Sequence, residues 1–136
     1  MEIALTSPTP LIARTSRSLV WTGRVLTGLI VAFLLLDGIG KLIPLAPVIE
    51  ATRQLGYPVG VIRPLGAVLA LSAILYAIPR TQVIGGLLLT AYLGGATATH
   101  VRVEAAFWFP VAMGIILWAG LCLRNPRVRA LMLSAA

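Results

Sequence analysis

The sequence is poor in charge, and above all in acidic residues. Charged residues make up 11% of its 136 residues and hydrophobic residues 59%, whereas soluble chains usually carry about 25% and about 45–50%. This composition excludes an ordinary soluble domain and predicts an integral membrane protein with a single domain over residues 1–136. Four acidic residues against eleven basic ones give a formal net charge of +7. Because the charges lie between apolar runs, the basic excess indicates topology and contact with anionic membrane lipids, not nucleic-acid binding.

Cysteine and histidine each occur once, as Cys122 and His100. One cysteine cannot form an intramolecular disulfide and supplies no Cys-x-x-Cys pair, which weighs against a quinone-linked thiol–disulfide enzyme. One histidine cannot provide both axial ligands of a bis-histidine haem within a monomer. His100 with Asp37 and Glu104 also lacks a recognisable metal-ligand spacing, so we expect neither haem nor metal.

Four long apolar runs predict an all-α membrane protein, a bundle of four transmembrane helices. Their expected bounds are about residues 19–43, 61–79, 82–103 and 105–123. Between the first two runs, Pro44 and Pro58 flank a short amphipathic segment, and we expect it to form an interfacial helix over about residues 47–55. Residues 1–17 are polar, and we expect them to form a poorly ordered or surface-lying tail.

Lysine and arginine are divided unequally between the two membrane faces. Seven of the eleven lie on the face that carries both termini, and four lie on the other. The positive-inside rule therefore predicts a multi-pass protein with both termini in the cytoplasm. The seven are Arg14, Arg17, Arg24, Arg80, Arg124, Arg127 and Arg129, and the four are Lys41, Arg53, Arg63 and Arg102.

Polar residues at the ends of the first and third runs form the one polar centre that the sequence offers. Asp37 and Lys41 lie four residues apart, so they share a helix face. His100, Arg102 and Glu104 end the third run, at the same expected membrane depth. Because an isolated charge at the bilayer centre costs at least about 2.5 to 3.5 kcal/mol, we expect these five side chains to converge.

This polar centre has two interpretations, which the sequence leaves open. In the first, it binds the headgroup of a small amphipathic ligand, quinone-like or lipid-like, through hydrogen bonds from His100, Lys41 or Arg102, while Asp37 tunes the charge of the histidine. His100 and Asp37 are then the candidates for proton transfer, although nothing in the sequence proves turnover. In the second, the cluster only locks the first and third spans together in a structural or assembly protein.

Small residues recur at four-residue spacing in the third run, at Gly86, Thr90, Gly94 and Ala98. Such a stripe lets another helix approach closely, so it predicts helix packing and offers a contact for a homo-oligomer. A small transporter is a third functional hypothesis. It would need this oligomerisation, because four short spans without an internal repeat do not readily form a path.

Four short motifs together resemble the DoxX-like family of small bacterial membrane proteins, over about residues 18 to 125. They are Asp37-Gly38-Ile39-Gly40-Lys41-Leu42, Leu55-Gly56-Tyr57-Pro58, Ile62-Arg63-Pro64-Leu65-Gly66 and Ala98-Thr99-His100-Val101-Arg102. The resemblance implies a four-helix bundle in a bacterial cytoplasmic membrane. Some relatives are associated with a thiosulfate:quinone oxidoreductase and others with membrane redox complexes, which implies a redox partner protein. Remote eukaryotic relatives look like assembly or trafficking factors, so the fold alone does not fix the function.

Overall fold

A computed structural model of the chain describes residues 16–43 and 45–134, which form six α-helices and no β-strand. The prediction of an all-helical protein is therefore confirmed. The expected N-terminal tail lies almost entirely outside the described residues, and so does Pro44. The helices are α1 (Arg17–Leu42), α2 (Ala46–Gln54), α3 (Val59–Ala77), α4 (Gln82–Arg102), α5 (Trp108–Arg124) and α6 (Pro126–Ser134).

Prolines and one glycine determine where these helices end. Ile43, Ile78 and Asn125 follow α1, α3 and α5, and each has an extended backbone. Each also precedes a proline in the sequence, and the proline ring disfavours helical geometry in the residue before it. After α2, Gly56 adopts a φ of +86°, a left-handed conformation that glycine adopts without steric cost.

The last helix, α6, is not among the predicted elements. Asn125 begins it, because its side-chain oxygen accepts hydrogen bonds from the backbone N–H groups of Arg127 at 3.1 Å and Val128 at 3.4 Å. Pro126 occupies the first helical position, where its missing N–H has no consequence. The chain bends by 109° between α5 and α6, so α6 runs across the end of the bundle.

Four helices close into a ring in which α1 and α4 lie opposite each other. Both α1 and α4 pack against α3 and α5. α1 runs antiparallel to α3, since Gly38 meets Ala70 whereas the later Lys41 meets the earlier Gly66. α1 also runs antiparallel to α5, since Thr27 meets Gly120 whereas the earlier Gly23 meets the later Leu123. The buried core lies inside this ring and consists of Ile30, Leu34, Leu69, Ala73, Tyr76, Leu89, Leu93, Leu117, Leu121 and Val128.

The outer surface of the ring is covered by large apolar side chains. Leu36 is 71% exposed, and Leu29 and Ile115 are each 66% exposed, whereas soluble monomers rarely expose wide apolar patches. α1 and α3 are each long and apolar enough to cross a membrane, and α5 with α6 would add a third span if the bent pair is taken as one. Glycine and threonine dilute the apolar content of α4, and α5 has 17 residues. The described helices thus supply two or three candidate spans.

Close backbone contacts join the helices at three crossings. At the first, a Cβ atom on Gly66 of α3 would come within 2.7 Å of the carbonyl oxygen of Gly38 of α1. At the second, near the other end of the bundle, a Cβ on Gly23 of α1 would lie 3.0 Å from the carbonyl oxygen of Gly120 of α5. At the third, Gly85 of α4 touches the end of α3. The helices therefore leave no space for a ligand between them at these three crossings.

Candidate functional site

A cavity of about 550 Å³ lies at the end of the bundle where α1 and α4 end and where α3 and α5 begin. This volume falls within the range of about 300–1,000 Å³ that is usual for small-molecule sites. One face of α2 lines the cavity, and most of the remaining wall is apolar. Its charged or polar lining residues are Asp37, Lys41, Thr52, Tyr57, Tyr92, Thr99 and His100.

An ion pair within α1 forms one side of the polar wall. Lys41 Nζ donates a hydrogen bond to Asp37 Oδ2. Lys41 is 8% exposed, and its Cβ packs against the backbone of α3 at Gly66. The lysine is therefore held in place by α3, while the aspartate is the more accessible partner. Asp37 is bonded to Lys41 and not to His100.

His100 stands on the opposite side of the cavity, near the end of α4. Its Nδ1 lies 2.7 Å from the carbonyl oxygen of Ala96, one helical turn earlier. A carbonyl oxygen only accepts, so Nδ1 carries the hydrogen and donates it. The other ring nitrogen, Nε2, has no hydrogen-bond partner among residues 16–43 and 45–134. In the neutral ring Nε2 accepts a hydrogen bond, and in the protonated ring it donates one.

Tyr57 links the loop after α2 to α4 through a short chain of hydrogen bonds. The hydroxyl of Thr99 donates to the carbonyl oxygen of Gly95 at 2.9 Å. Its oxygen is therefore the acceptor for the hydroxyl of Tyr57, also at 2.9 Å. Because the hydrogen of Tyr57 is used in this way, its phenolic oxygen remains able to accept a hydrogen bond from a ligand.

Tyr92 adds a phenol group on the inner face of α4, two turns before His100. It is half-buried, and it lines the same cavity as Asp37 of α1. Its hydroxyl forms no hydrogen bond within the described part of the chain. Tyr92 is thus a donor and acceptor near the polar wall whose hydrogen-bonding capacity is unused.

Two of the five predicted site residues lie away from the cavity. Arg102 donates to the carbonyl oxygen of Leu55 at 3.3 Å, so it fastens the loop after α2 from outside. Glu104 is exposed in the turn after α4, where it has a φ of +56°, and it forms no ion pair within the described residues. Since residues two apart on a helix point about 200° apart, His100 and Arg102 cannot both face the cavity.

Four polar residues of the cavity wall are not among the predicted site residues, and they are Thr52, Tyr57, Tyr92 and Thr99. Helical spacing gives a signal for two of them. Thr99 and His100 lie seven and eight positions after Tyr92, so the three residues share one face of a helix. Tyr57 reaches the site from a loop, and no periodicity predicts that.

No hydrogen bond or ion pair between described residues joins α1 to α4, although both helices direct polar groups into the cavity. The Asp37–Lys41 pair closes within α1, and His100 bonds within α4. The two helices also do not pack against each other. The space between their polar groups is the cavity itself.

Comparison with known proteins gives one finding. The sequence model of the DoxX-like family matches residues 25–122, which include the whole cavity wall from Phe33 to Met113. Neither a curated protein nor a solved structure matches the chain. Within the described residues, no group of three or more histidine, cysteine, aspartate or glutamate side chains could hold a metal ion.

Proposed function

The chain belongs to the DoxX-like family of membrane proteins, and we propose that its cavity binds the headgroup of a small amphipathic molecule, quinone-like or lipid-like. One observation carries this proposal: α1 and α4 line a common cavity with polar groups that form no bond to each other. Nε2 of His100 and the hydroxyl of Tyr92 face this space without a hydrogen-bond partner among the described residues. Polar groups that share a cavity and keep unused hydrogen-bonding capacity favour a ligand over a purely structural role.

The unused hydrogen-bonding capacity of the wall defines the headgroup. Tyr92 offers a hydroxyl, His100 offers Nε2, and the ammonium group of Lys41 has three hydrogens, of which one serves Asp37. Lys41 and Tyr92 can donate to carbonyl or phosphoryl oxygens, whereas Nε2 of His100 accepts a hydrogen bond in the neutral ring and donates one only in the protonated ring. Because Asp37 neutralises Lys41, the ion pair gives the wall no net charge, which favours a headgroup without net charge.

The apolar part of the wall fits the hydrophobic portion of such a ligand. Phe33, Phe109 and Met113 line it, together with Leu34 and Leu93 of the core. Aromatic and thioether side chains pack against flat rings and flexible chains alike. An aromatic headgroup with an isoprenoid tail and a phospholipid would both fit this lining, and solvent extraction of the purified protein distinguishes them.

A quinone ligand would make this chain a quinone-binding subunit of a membrane redox complex. His100 would then be the residue best suited to exchange a proton with the quinone carbonyl, while Asp37 and Lys41 hold the local charge balanced. The electrons would come from a partner redox protein.

We further propose that α1, α3, α4 and α5 each cross a bacterial inner membrane. With 21 and 17 residues, α4 and α5 extend about 31 and about 25 Å, close to the hydrocarbon thickness of about 30 Å. The described acidic residues, Asp37, Glu50 and Glu104, all belong to the α2 end of the bundle. The opposite end carries arginine alone among the described charges, which favours the cytoplasm for that end and for both termini.

This topology predicts opposite accessibility for cysteines placed on α2 and α6. In a Cys122→Ser background, Gln54→Cys should react with a membrane-impermeant maleimide in intact cells, and Ser134→Cys should react only after the membrane is permeabilised. Both positions are exposed, so accessibility within the protein does not limit the reaction. Labelling of both variants in intact cells, or of neither, contradicts the topology.

Ligand binding predicts that the purified protein retains a small molecule. Native mass spectrometry and solvent extraction of the detergent-purified chain should recover either a quinone or a lipid at about one molecule per chain. Tyr92→Phe removes one hydroxyl from the wall and should lower occupancy several-fold, as expected for the loss of about 1 kcal/mol. His100→Ala should lower it at least as much.

Thr97→Val is the matched control, because it removes a hydroxyl that bonds within α4 to Leu93 and does not line the cavity. Its occupancy should equal that of the unchanged protein. If no molecule is retained, and if His100→Ala instead lowers the folded yield, the alternative of a structural or assembly protein is favoured. The bonds of Tyr57 to Thr99 and of Arg102 to Leu55, which tie the α2 loop to α4, are the observations on its side.

A further inference from the structure

Two phenylalanines form the wall of the cavity on the side where α1 meets α5. Phe33 of α1 and Phe109 of α5 both line the cavity, and they are 42% and 40% exposed. Their rings touch edge to face, with centroids 5.7 Å apart and planes inclined by 67°. The two rings therefore fill the gap between α1 and α5 beside the cavity.

The seam between α1 and α5 differs along its length. At the other end of the bundle, the backbones nearly touch, because a Cβ on Gly23 would lie 3.0 Å from the carbonyl oxygen of Gly120. At the cavity end, ten residues further along α1, two aromatic side chains occupy the space between the helices. The seam is thus closed by backbone at one end and by movable rings at the other.

The neighbouring seam, between α1 and α3, is sealed at the level of the cavity. A Cβ on Gly38 would lie 3.2 Å from the carbonyl oxygen of Gly66, and one on Gly66 would lie 2.7 Å from that of Gly38. Opening this seam would require the helices to separate. Rotating a phenylalanine ring requires only a change of side-chain torsion, which is common for exposed residues on the nanosecond scale.

We infer that the α1–α5 seam is a lateral portal through which the ligand enters from the hydrocarbon of the membrane, with Phe33 and Phe109 as its gate. This inference rests on the proposed function. Leu29 and Leu36 lie within about 60° of Phe33 around the axis of α1, and both are exposed apolar side chains, as is Ile115 on α5. A ring that swings outward therefore opens the cavity to acyl chains and not to water. The ligand is accordingly a molecule dissolved in the bilayer, and it passes between the two rings when they move apart.

A cysteine placed inside the cavity measures this route without any knowledge of the ligand. Met113 lines the apolar wall, so Met113→Cys in the Cys122→Ser background provides one reactive thiol. In nanodiscs, it should react readily with a pyrene maleimide that partitions into the bilayer and slowly with a sulfonated, water-soluble thiol reagent. Phe33→Ala and Phe109→Ala should each accelerate the pyrene reaction several-fold. Ile115→Ala, on the same outer surface but not in the cavity wall, should leave the rate unchanged.

The result that overturns the portal is an equal pyrene rate in all four proteins, or a faster reaction with the sulfonated reagent. Ala91 and Gly95 of α4 also line the cavity and are exposed, so Gly95→Leu tests the competing route. If it slows labelling while the phenylalanine variants change nothing, the ligand enters beside α4. If an alanine variant fails to fold, Phe109→Leu replaces it. If the labelling rates contradict the portal, the unchanged protein can still retain a ligand on purification. The portal and the ligand-binding function are therefore tested independently.

Discussion

Gly85→Ala is expected to lower the free energy of unfolding by about 1 to 3 kcal/mol, the usual cost of forcing an extra group into a packed core. Gly85 lies in the first turn of α4, where it faces the end of α3. A Cβ at this position would be 2.1 Å from the backbone nitrogen of Tyr76 and 2.5 Å from its Cα. Because both neighbours are backbone atoms, only a displacement of α4 away from α3 can relieve the overlap. Thermal unfolding in detergent, followed by far-ultraviolet circular dichroism, measures the loss.

Gly94→Ala is the matched control on the same helix. No atom lies within 4 Å of a Cβ at Gly94, so the substitution meets no neighbour. Alanine is favoured over glycine in a helix interior by about 0.5 to 1 kcal/mol, and the variant should be as stable as the unchanged protein or slightly more stable. Equal stability of the Gly85 and Gly94 variants would mean that α3 and α4 do not approach as closely as described.

Most helix positions could be predicted from the sequence, because prolines and charges interrupt its apolar runs. The exceptions have physical reasons. α5 begins at Trp108 and not at residue 105, since Glu104 adopts a positive φ and the chain needs several residues to turn back. α6 is short and begins with two arginines in four residues. Its existence depends on the side-chain cap from Asn125 and on the burial of Val128 against the bundle.

The stripe of small residues in the third apolar run, now α4, contacts a neighbouring helix along only part of its length. Residues four apart on a helix advance by 400°, so each step drifts by 40° around the axis. From Gly86 to Ala98 the drift reaches 120°. Gly86 is accordingly buried against Leu121 of α5, and Thr90 accepts a hydrogen bond from Trp118 at 2.9 Å. Gly94 and Ala98 face outward, and oligomerisation through the stripe stays a prediction.

Only part of the candidate site could be predicted from the sequence. Residue spacing relates positions within one helix, whereas the cavity is formed by several helices that are far apart in the sequence. The i, i+4 spacing of Asp37 and Lys41 predicts their pairing, and the depth of His100 predicts its position at the same end. The spacing places Tyr92 and Thr99 on the same face of α4 as His100, but it does not show that this face lines a cavity. Tyr57 and Tyr92 enter the wall through the packing of α2 and α4 around the ring, which depends on contacts far apart in the sequence.

The ion pair of α1 gives the second large prediction. Lys41→Met removes the partner of Asp37 and should destabilise the protein by about 2 to 3 kcal/mol, since an unpaired charge in an apolar helix bundle is costly. Asp37→Asn should cost a similar amount, because Lys41 is buried against α3 and loses its counter-charge. The exposed pair of Glu50 and Arg53, with nitrogen and oxygen 3.8 Å apart, is the control within the same chain. Glu50→Gln should cost less than about 1 kcal/mol.

The double variant Asp37→Asn/Lys41→Met decides whether the pair is coupled. It leaves two neutral side chains of similar size in place of two charges. Its loss should therefore be clearly smaller than the sum of the two single losses, and it should come close to neutral. Losses that simply add would mean that each charge is satisfied independently, by water in the cavity and not by its partner. If the double variant loses less stability than the sum of the two single variants, Asp37 and Lys41 neutralise each other. Tyr92 and His100 are then the groups that recognise the ligand.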